Sequence, residues 1–431
     1  MRAFLLTFLF TALLPLVALA GADDYRYPFG NPLQATVYGT PPDLIYDTKG
    51  EVPLKIRSIQ IKGRTIPDIF SHDSEMFYST ALHDGPAPLV FVIAGTGAEH
   101  KSAKMVFLTR ALYLAGFHVV ALSSPTHMNF LVSVSEHGAA GYVPFDVDDL
   151  YRVMCWIKDD LAGEVEVTDY RVTGYSLGAL HAAFLARKDS ELGDFHFSKA
   201  LLINPPVSLY HSVRRLDSWL DPETLGGKQP REEIQRIINI FSNYYKSQEI
   251  TDLDDDFLYN MVTRTDLDGT DLRVLIGTDF RASSSSMIFA SDVCLRAEYL
   301  VPPGAYPLKT GTPLMRFAEA AFDISFEDYM DEYLLPYVRH LEPDVDRYEF
   351  IQRCSLYAIR SYLAETDKIE LLGNRDDVIL NENDIRFIES VFGGRASLYP
   401  TGGHCGNMMY PHFVKRMLAM LDAPAGQEGT P

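Results

Sequence analysis

Residues 170–187 read YRVTGYSLGALHAAFLAR, an apolar strand pattern followed by a glycine-flanked serine and an apolar helical pattern. The periodicity predicts a strand over Tyr170–Thr173 and a helix over Leu180–Arg187. Between them, Gly174-Tyr175-Ser176-Leu177-Gly178 fits the pattern G-x-S-x-G, in which a sharp strand-to-helix turn exposes the serine hydroxyl. Glycines are expected on both sides because larger side chains would collide with the adjoining strand and helix. Ser176 is therefore a candidate nucleophile.

The sequence around this turn alternates between apolar strands and amphipathic helices. Leu54–Ile61 has the period of a half-buried strand, whereas the later strand patterns are continuous apolar runs typical of buried parallel strands. Those strands are predicted at Pro88–Ala94, His118–Leu122, Lys199–Ile203, Ile369–Leu372 and Ala396–Tyr399, with helices at Met105–Gly116, Asp146–Leu161, Asp384–Phe392 and Pro411–Leu421. The order predicts an α/β fold, a mostly parallel central sheet with helices on both faces.

The alternation lapses between Pro205 and Asp367, where helical patterns such as Glu233–Tyr245 are separated by polar loops. We interpret 205–367 as a largely helical cap inserted into a core formed by 21–204 and 368–423, and 424–431 as a disordered tail. The cap aromatics are expected either to line an acyl pocket or to form the cap's own core. They are Phe241, Tyr244, Tyr245, Phe257, Phe289, Phe317, Phe322, Tyr329 and Tyr333.

A serine hydroxyl becomes a good nucleophile only when a base accepts its proton, so a histidine is required from elsewhere in the fold. His404 lies in GGHCGN, between the last predicted strand and the last helix, where glycines let a loop approach another strand end. His100 and His127 also follow strand ends, but neither comes after an acid in a plausible order. His181 is expected to be packed or on the surface. His404 is therefore the candidate base, and its neighbour Cys405 is not expected to contact it.

The acid that orients the imidazole is predicted in the loop after strand Ile369–Leu372, at Asp376 or Asp377. Asp377 is favoured because the chain becomes apolar two residues later. Adjacent carboxylates repel one another, so the other carboxylate is expected to stay solvated. Asp384 is instead a candidate helix N-cap.

The order Ser176, Asp377, His404 resembles the α/β-hydrolase superfamily over residues 54–204 and 368–421. The resemblance implies an oxyanion hole formed by the backbone N–H of Leu177 and that of Thr96 or Gly97. Two departures are the Ala94-Gly95 pair, where the family often has His-Gly, and the lack of a proline after the acid. The second departure keeps Asp376 open as an alternative.

The resemblance also implies an enzyme without a cofactor that hydrolyses a small-molecule carboxylic ester through an acyl-enzyme intermediate. The same side chains would serve an amide, peptide or thioester hydrolase or an acyltransferase. A catalytically silent binding protein with the same fold is the non-enzymatic alternative. The sequence does not indicate the substrate or the oligomeric state.

The first twenty residues have the pattern of a secretory signal peptide. One cation, Arg2, precedes an apolar run that ends in Ala18-Leu19-Ala20. Cleavage is predicted after Ala20, followed by export to the periplasm or the extracellular space. No later stretch has the length of apolar sequence that a membrane span needs.

Asp and Glu outnumber Lys and Arg by 58 to 38, a formal net charge of −20, which disfavours nucleic acids and anionic lipids as partners. Four cysteines without metal-binding spacing predict no metal site, and Cys294–Cys354 is the preferred disulfide. Ser283–Ser286 is interpreted as a polar loop. The acids Asp252, Asp254, Asp255 and Asp256 are interpreted as a solvated turn because they lack the spacing of a calcium loop.

Overall fold

The computed structural model describes residues 25–247 and 255–422, and it contains an eight-stranded sheet of order β1-β2-β4-β3-β5-β6-β7-β8. The strands are β1 Lys55–Ile59, β2 Met76–Ala81, β3 Ala87–Ile93, β4 His118–Leu122, β5 Val167–Tyr175, β6 Lys199–Ile203, β7 Ile369–Asn374 and β8 Ala396–Tyr399. Strands β3 to β8 are parallel to one another, while β2 is antiparallel to both β1 and β4. The predicted fold class is confirmed.

Sixteen α-helices occur in the described residues. They are α1 Pro32–Tyr38, α2 Ala103–Leu114, α3 Met128–Ser133, α4 Val143–Leu161, α5 Leu177–Leu192, α6 Leu209–Asp217, α7 Pro230–Ser247, α8 Asp255–Arg264, α9 Gly269–Leu295, α10 Met315–Asp323, α11 Phe326–Asp328, α12 Leu335–Leu341, α13 Arg347–Arg353, α14 Arg360–Glu365, α15 Glu382–Phe392 and α16 Pro411–Met420. A π-helical segment, Tyr329–Leu334, joins α11 to α12. None of these helices is long and apolar enough to cross a bilayer.

Alternate residues of the central strands supply two hydrophobic cores. On β3, Leu89, Phe91 and Ile93 pack on one face of the sheet with helices α4 and α5. Val90 and Val92 pack on the other face with α2 and α16. Burial on both faces explains why the central strands are continuous apolar runs.

The antiparallel edge of the sheet differs from the sequence prediction. Strand β1 is mostly exposed, and Ile56 is 61% accessible. The prediction of a half-buried strand from the alternating pattern is therefore wrong. Strand β2 was not predicted. Its hydroxyl-containing end, YSTA, is buried between β1 and β4, and that composition gives no continuous apolar run.

The chain between β6 and β7 contains helices α6 to α14 and, in its described part, no strand of the sheet. The proposed limits of the cap, 205–367, remain a prediction. The predicted signal peptide and tail lie outside the described residues, as do Asp252 and Asp254, and the side chains of Asp255, Asp256 and Phe257 are not described.

Three local predictions are wrong. Ser283–Ser286 lies inside helix α9 and not in a loop. The N-cap of α15 is Asn381, and Asp384 is the third helical residue, whose carboxylate accepts from the Asn381 N–H in a capping box. All four cysteines are free thiols, so the Cys294–Cys354 disulfide is not formed.

Candidate active site

Ser176 occupies a strained turn between β5 and α5, with φ 55° and ψ −125°. A Cβ atom at Gly178 would lie 2.2 Å from the carbonyl oxygen of Ile93, and one at Gly174 would lie 2.4 Å from the carbonyl oxygen of Gly178. Both positions therefore require glycine. These contacts give the steric reason for the G-x-S-x-G pattern.

The imidazole of His404 connects Ser176 to Asp377. Its Nε2 atom lies 2.9 Å from Ser176 Oγ, and its Nδ1 atom lies 3.0 Å from each carboxylate oxygen of Asp377. The carboxylate is fully buried, while the imidazole is 17% exposed. The structure thus brings together the three side chains that the sequence order selected, in an arrangement suited to general-base activation of a serine.

The electrostatic environment of His404 favours its charged form. Burial acts to lower the pKa of the imidazole, but the adjacent carboxylate of Asp377 and, next, the neighbouring Cys405 raise it, and the net direction is upward. Contrary to expectation, Cys405 does contact the imidazole, with Sγ 3.9 Å from Nε2. The carboxylate therefore stabilises the imidazolium that forms when the serine proton is taken.

Asp377 is held in place by two further donors. The side-chain amide of Asn204 donates to Oδ2 over 2.8 Å, and the backbone N–H of Ile379 donates to Oδ1 over 3.0 Å. Sequence reasoning missed Asn204, which directly follows β6 and has φ 47°. A polar residue at the carboxyl end of a central strand was the available signal, because sites in such sheets form at that edge.

Asp376 supports the histidine loop, and it is only partly exposed. Its carboxylate accepts the backbone N–H of Gly403 over 2.9 Å and that of Gly402 over 3.2 Å, just before His404. Burial raises the pKa of Asp376, and the two N–H donors oppose that rise. The carboxylate is therefore partly exposed, and it also has a structural task that the sequence did not indicate.

Helix α1 packs against the same loop, a role that its sequence did not reveal. Thr36 Oγ1 accepts the backbone N–H of His404 over 2.9 Å and donates to the carbonyl of Pro32 over 2.7 Å. A Cβ at Gly406 would lie 2.0 Å from the carbonyl oxygen of Ala35. The glycines around His404 thus allow close approach of a helix from the other end of the chain.

Two buried side-chain amides, those of Asn374 and Asn407, hold the loop that carries His404. Asn374 Nδ2 donates to Asn407 Oδ1 over 2.9 Å, and Asn407 Nδ2 donates back to Asn374 Oδ1 over 2.7 Å. Asn374 also donates to the carbonyl of Gly403 over 2.8 Å, and Asn407 donates to the hydroxyl of Tyr25 over 2.8 Å. Both amides are fully buried, so they fix the path of the loop.

Of the two candidate oxyanion donors after β3, only Thr96 has an available N–H. The N–H of Gly97 donates to Thr126 Oγ1 over 2.8 Å, which removes it from this role. The N–H groups of Thr96 and Leu177 have no hydrogen-bond partner among the described residues. Thr96 also lines the cavity next to Ser176. Leu177 and Thr96 are thus the candidate donor pair.

A cavity of about 470 Å³ opens above Ser176 and His404. Its apolar wall comes from helices α6, α8 and α9 and from the loop after β7. The residues of this wall are Leu216, Val262, Leu275, Ile276, Phe280, Val378 and Ile379. The cavity volume is that of a small-molecule site.

The cap aromatics singled out in the sequence whose side chains are described do not line this cavity. Phe289 and Phe317 are 8% and 3% exposed, and their rings stack with centroids 6.3 Å apart. Phe289 also contacts Phe70 edge-on. Phe289 and Phe317 are therefore packed in the interior, as the core alternative predicts, whereas Tyr245 is 48% exposed.

The three other histidines considered in the sequence form their hydrogen bonds elsewhere. His100 Nδ1 lies 2.7 Å from Ser79 Oγ, and burial lowers the pKa of His100 to about 4. His127 is the N-cap of α3. His181 is fully buried, with Nε2 3.2 Å from Asp146. None of these three lines the cavity at Ser176.

The sheet order and the serine elbow define the α/β-hydrolase fold. Neither a family model nor a curated protein matches the sequence. Among solved structures, an esterase of Pyrococcus furiosus is 12% identical, with a TM-score of 0.41 over 89% of this chain and 98% of its own.

Two further structures are similar at the same level. The fungal esterases of Rhizomucor miehei give 11% identity and a TM-score of 0.44 over 91% of this chain and 97% of theirs. A thermostable esterase of Pseudomonas putida gives 14% identity and a TM-score of 0.41 over 94% and 93%. The fold assignment rests on the strand order and the elbow of this chain, and not on these likenesses.

Proposed function

We propose that this protein is an exported serine hydrolase that cleaves a carboxylic ester. The observation that carries the proposal is the hydrogen-bonded line Ser176–His404–Asp377, with Ser176 Oγ 2.9 Å from His404 Nε2 and facing a cavity. A strained serine, a buried acid and free backbone donors are the components of acyl transfer. Export is inferred from the first twenty residues of the sequence.

In the first half of the reaction, Ser176 Oγ attacks the ester carbonyl carbon while His404 Nε2 takes the hydroxyl proton. The carbonyl π electrons move to oxygen, and the N–H groups of Leu177 and Thr96 stabilise the resulting oxyanion. The tetrahedral intermediate then collapses. Its C–O bond to the alcohol breaks, and His404 returns the proton to the leaving alkoxide.

In the second half, water attacks the acyl-enzyme carbonyl while His404 accepts one of the water protons. Collapse of this intermediate breaks the bond to Ser176 Oγ, and the imidazolium returns a proton to the serine. The acid product and the free enzyme are restored. Asp377 keeps the Nδ1–H tautomer throughout and stabilises the imidazolium without taking its proton.

The test is covalent labelling combined with turnover. Purified mature protein should react with a fluorophosphonate at Ser176 and hydrolyse p-nitrophenyl esters. Ser176→Ala should abolish labelling and reduce kcat by about 10⁵-fold or more. The matched control is Ser285→Ala, on the exposed side of α9, where the hydroxyl only bonds to the carbonyl of Ala282.

Undiminished ester turnover in Ser176→Ala would contradict the proposal. Substrate class is tested with a panel of esters, peptide amides and thioesters. A preference for an amide or a thioester would mean that the same catalytic residues act on another class of acyl substrate. A protein that is labelled but hydrolyses no member of the panel would favour a binding role.

A further inference from the structure

The cavity above Ser176 has one charged end. Asp279 on helix α9 and Lys104 on helix α2 both line it. No described residue forms a hydrogen bond or an ion pair with either side chain, and the two do not pair with each other. Within the described part of the chain, the one aromatic contact is that of Lys104 Nζ, 5.8 Å from the ring centroid of Tyr175. A carboxylate and an ammonium group thus face the cavity without a hydrogen-bond or ion-pair partner among the described residues.

The position of Asp279 on its helix points to a ligand. Ile276, Asp279, Phe280 and Ser283 recur at helical spacing and all line the cavity, so the carboxylate belongs to the face of α9 directed at Ser176. Ser283 on this face packs against the turn of the candidate oxyanion hole, because a Cβ at position 97 would lie 2.6 Å from Ser283 Cβ. Asp279 therefore lies on the cavity-facing side of α9 and is its most exposed member.

The carboxylate of Asp279 is exposed on the cavity wall and has no hydrogen-bond donor among the described residues. Burial raises the pKa of Asp279, and Lys104 is the group whose charge opposes the rise. A donor on a bound ligand could replace water at this carboxylate and form a charge-assisted hydrogen bond with it. An acidic side chain on an otherwise apolar wall therefore fits ligand recognition better than packing.

Resting on the proposed ester hydrolysis, we propose that the substrate carries a hydroxylated group bound between Asp279 and Lys104. A hydroxyl can donate to a carboxylate and accept from an ammonium group at the same time. A cationic group would be repelled by Lys104 and an anionic group by Asp279, so a neutral group satisfies both. The apolar part of the ester then packs on Ile276 and its aliphatic neighbours.

Two matched ester pairs test the proposal on purified mature protein. Propyl butanoate is compared with 2,3-dihydroxypropyl butanoate for the alcohol side, and ethyl butanoate with ethyl 3-hydroxybutanoate for the acyl side. We expect kcat/KM to favour the hydroxylated ester by about tenfold or more in at least one pair. The preference should disappear in Asp279→Leu and in Lys104→Met, measured as the ratio of kcat/KM within each ester pair. Glu319→Gln removes an exposed cap charge on α10 and should leave the preference unchanged.

The outcomes separate this inference from the proposed function. No hydrolysis of plain esters together with no phosphonate labelling of Ser176 would be a failure of the proposed function. Hydrolysis of plain esters without discrimination, or a preference that persists in both variants, would overturn the present inference alone. So would a higher kcat/KM for 3-aminopropyl butanoate than for the diol ester, because the group bound would then be a cation. Lys104→Met provides an independent answer if Asp279→Leu does not fold.

Discussion

At the scale of single residues, the two adjacent acids after β7 have different structural tasks. Asp377 accepts from the imidazole of His404, while Asp376 accepts the N–H groups of Gly402 and Gly403. One carboxylate orients the ring and the other holds the loop that carries it. Repulsion between neighbouring charges is offset because each carboxylate has its own set of donors.

Asp377→Asn is expected to reduce kcat by about 10⁴-fold, because the wrong imidazole tautomer is stabilised. Asp376→Asn should cost less, about tenfold, because an amide can still accept one of the two N–H groups. The measurement is kcat on a p-nitrophenyl ester for both variants. A greater loss in Asp376→Asn would transfer the role of the acid to Asp376.

The raised pKa of His404 gives a pH prediction. The base must be neutral to accept the serine proton, so activity falls as pH drops through the pKa of the imidazole. Because this pKa is raised, the acidic limb of phosphonate labelling should lie above pH 6.5, the ordinary value for histidine. Asp377→Asn removes the main charge that raises the pKa and should move the limb to lower pH. If the acidic limb of the labelling profile does not move in Asp377→Asn, a group other than His404 controls it.

At the scale of elements, helix α9 decides the shape of the cavity. It provides Leu275, Ile276 and Phe280 to the wall and Ser283 to the turn after β3. Helix α1, which packs against α9, also contributes to the cavity, since Thr36 and Val37 line it and Thr36 holds His404. The acyl specificity should therefore depend on these two helices more than on the buried aromatics of the cap.

Ile276→Ala should shift the preferred acyl length upward because it enlarges the cavity wall. Phe289→Ala is the contrasting variant: it opens a void in the cap interior and should lower stability by about 3–5 kcal/mol. Its kcat/KM values should fall in proportion on every ester. The measurements are kcat/KM from acetyl to dodecanoyl esters and urea unfolding. A changed acyl preference in Phe289→Ala alone would place the specificity pocket in the cap interior.

At the scale of the whole molecule, the site assembles residues from distant parts of the chain. Ser176, Asp377 and His404 follow β5, β7 and β8, and Thr36 comes from the N-terminal helix. Parallel strands bring their carboxyl ends to one edge of the sheet, so these separations in sequence become contacts. The helices between β6 and β7 then cover that edge.

Export is tested on the intact chain. Expression of the full-length sequence in a bacterial host with a secretion pathway should yield a mature N-terminus at Gly21, because Ala18-Leu19-Ala20 fits the small-residue cleavage pattern. The measurement is intact mass and N-terminal sequencing of the periplasmic and extracellular fractions. Ala20→Pro is the comparison variant, in which cleavage should be blocked. An uncleaved chain retained in the cytoplasm would contradict the signal peptide.

Local patterns in the sequence determined which loops carry the three candidate catalytic residues. They are a serine at a strand-to-helix turn, an acid after β7 and a glycine-flanked histidine after β8. These predictions succeed because steric rules and strand burial act over a few neighbouring residues. Only the tertiary structure decided that Asp376 and Thr36 hold the histidine loop. It also decided that the Asn204 amide donates to Asp377. The N–H of Gly97, finally, donates to Thr126 and is not free to bind an oxyanion. The tertiary structure also placed Asp279 and Phe280, and not Phe289 or Phe317, on the cavity wall. These are contacts between residues far apart in the chain, and their geometry depends on how helices pack over the sheet, which no local pattern records.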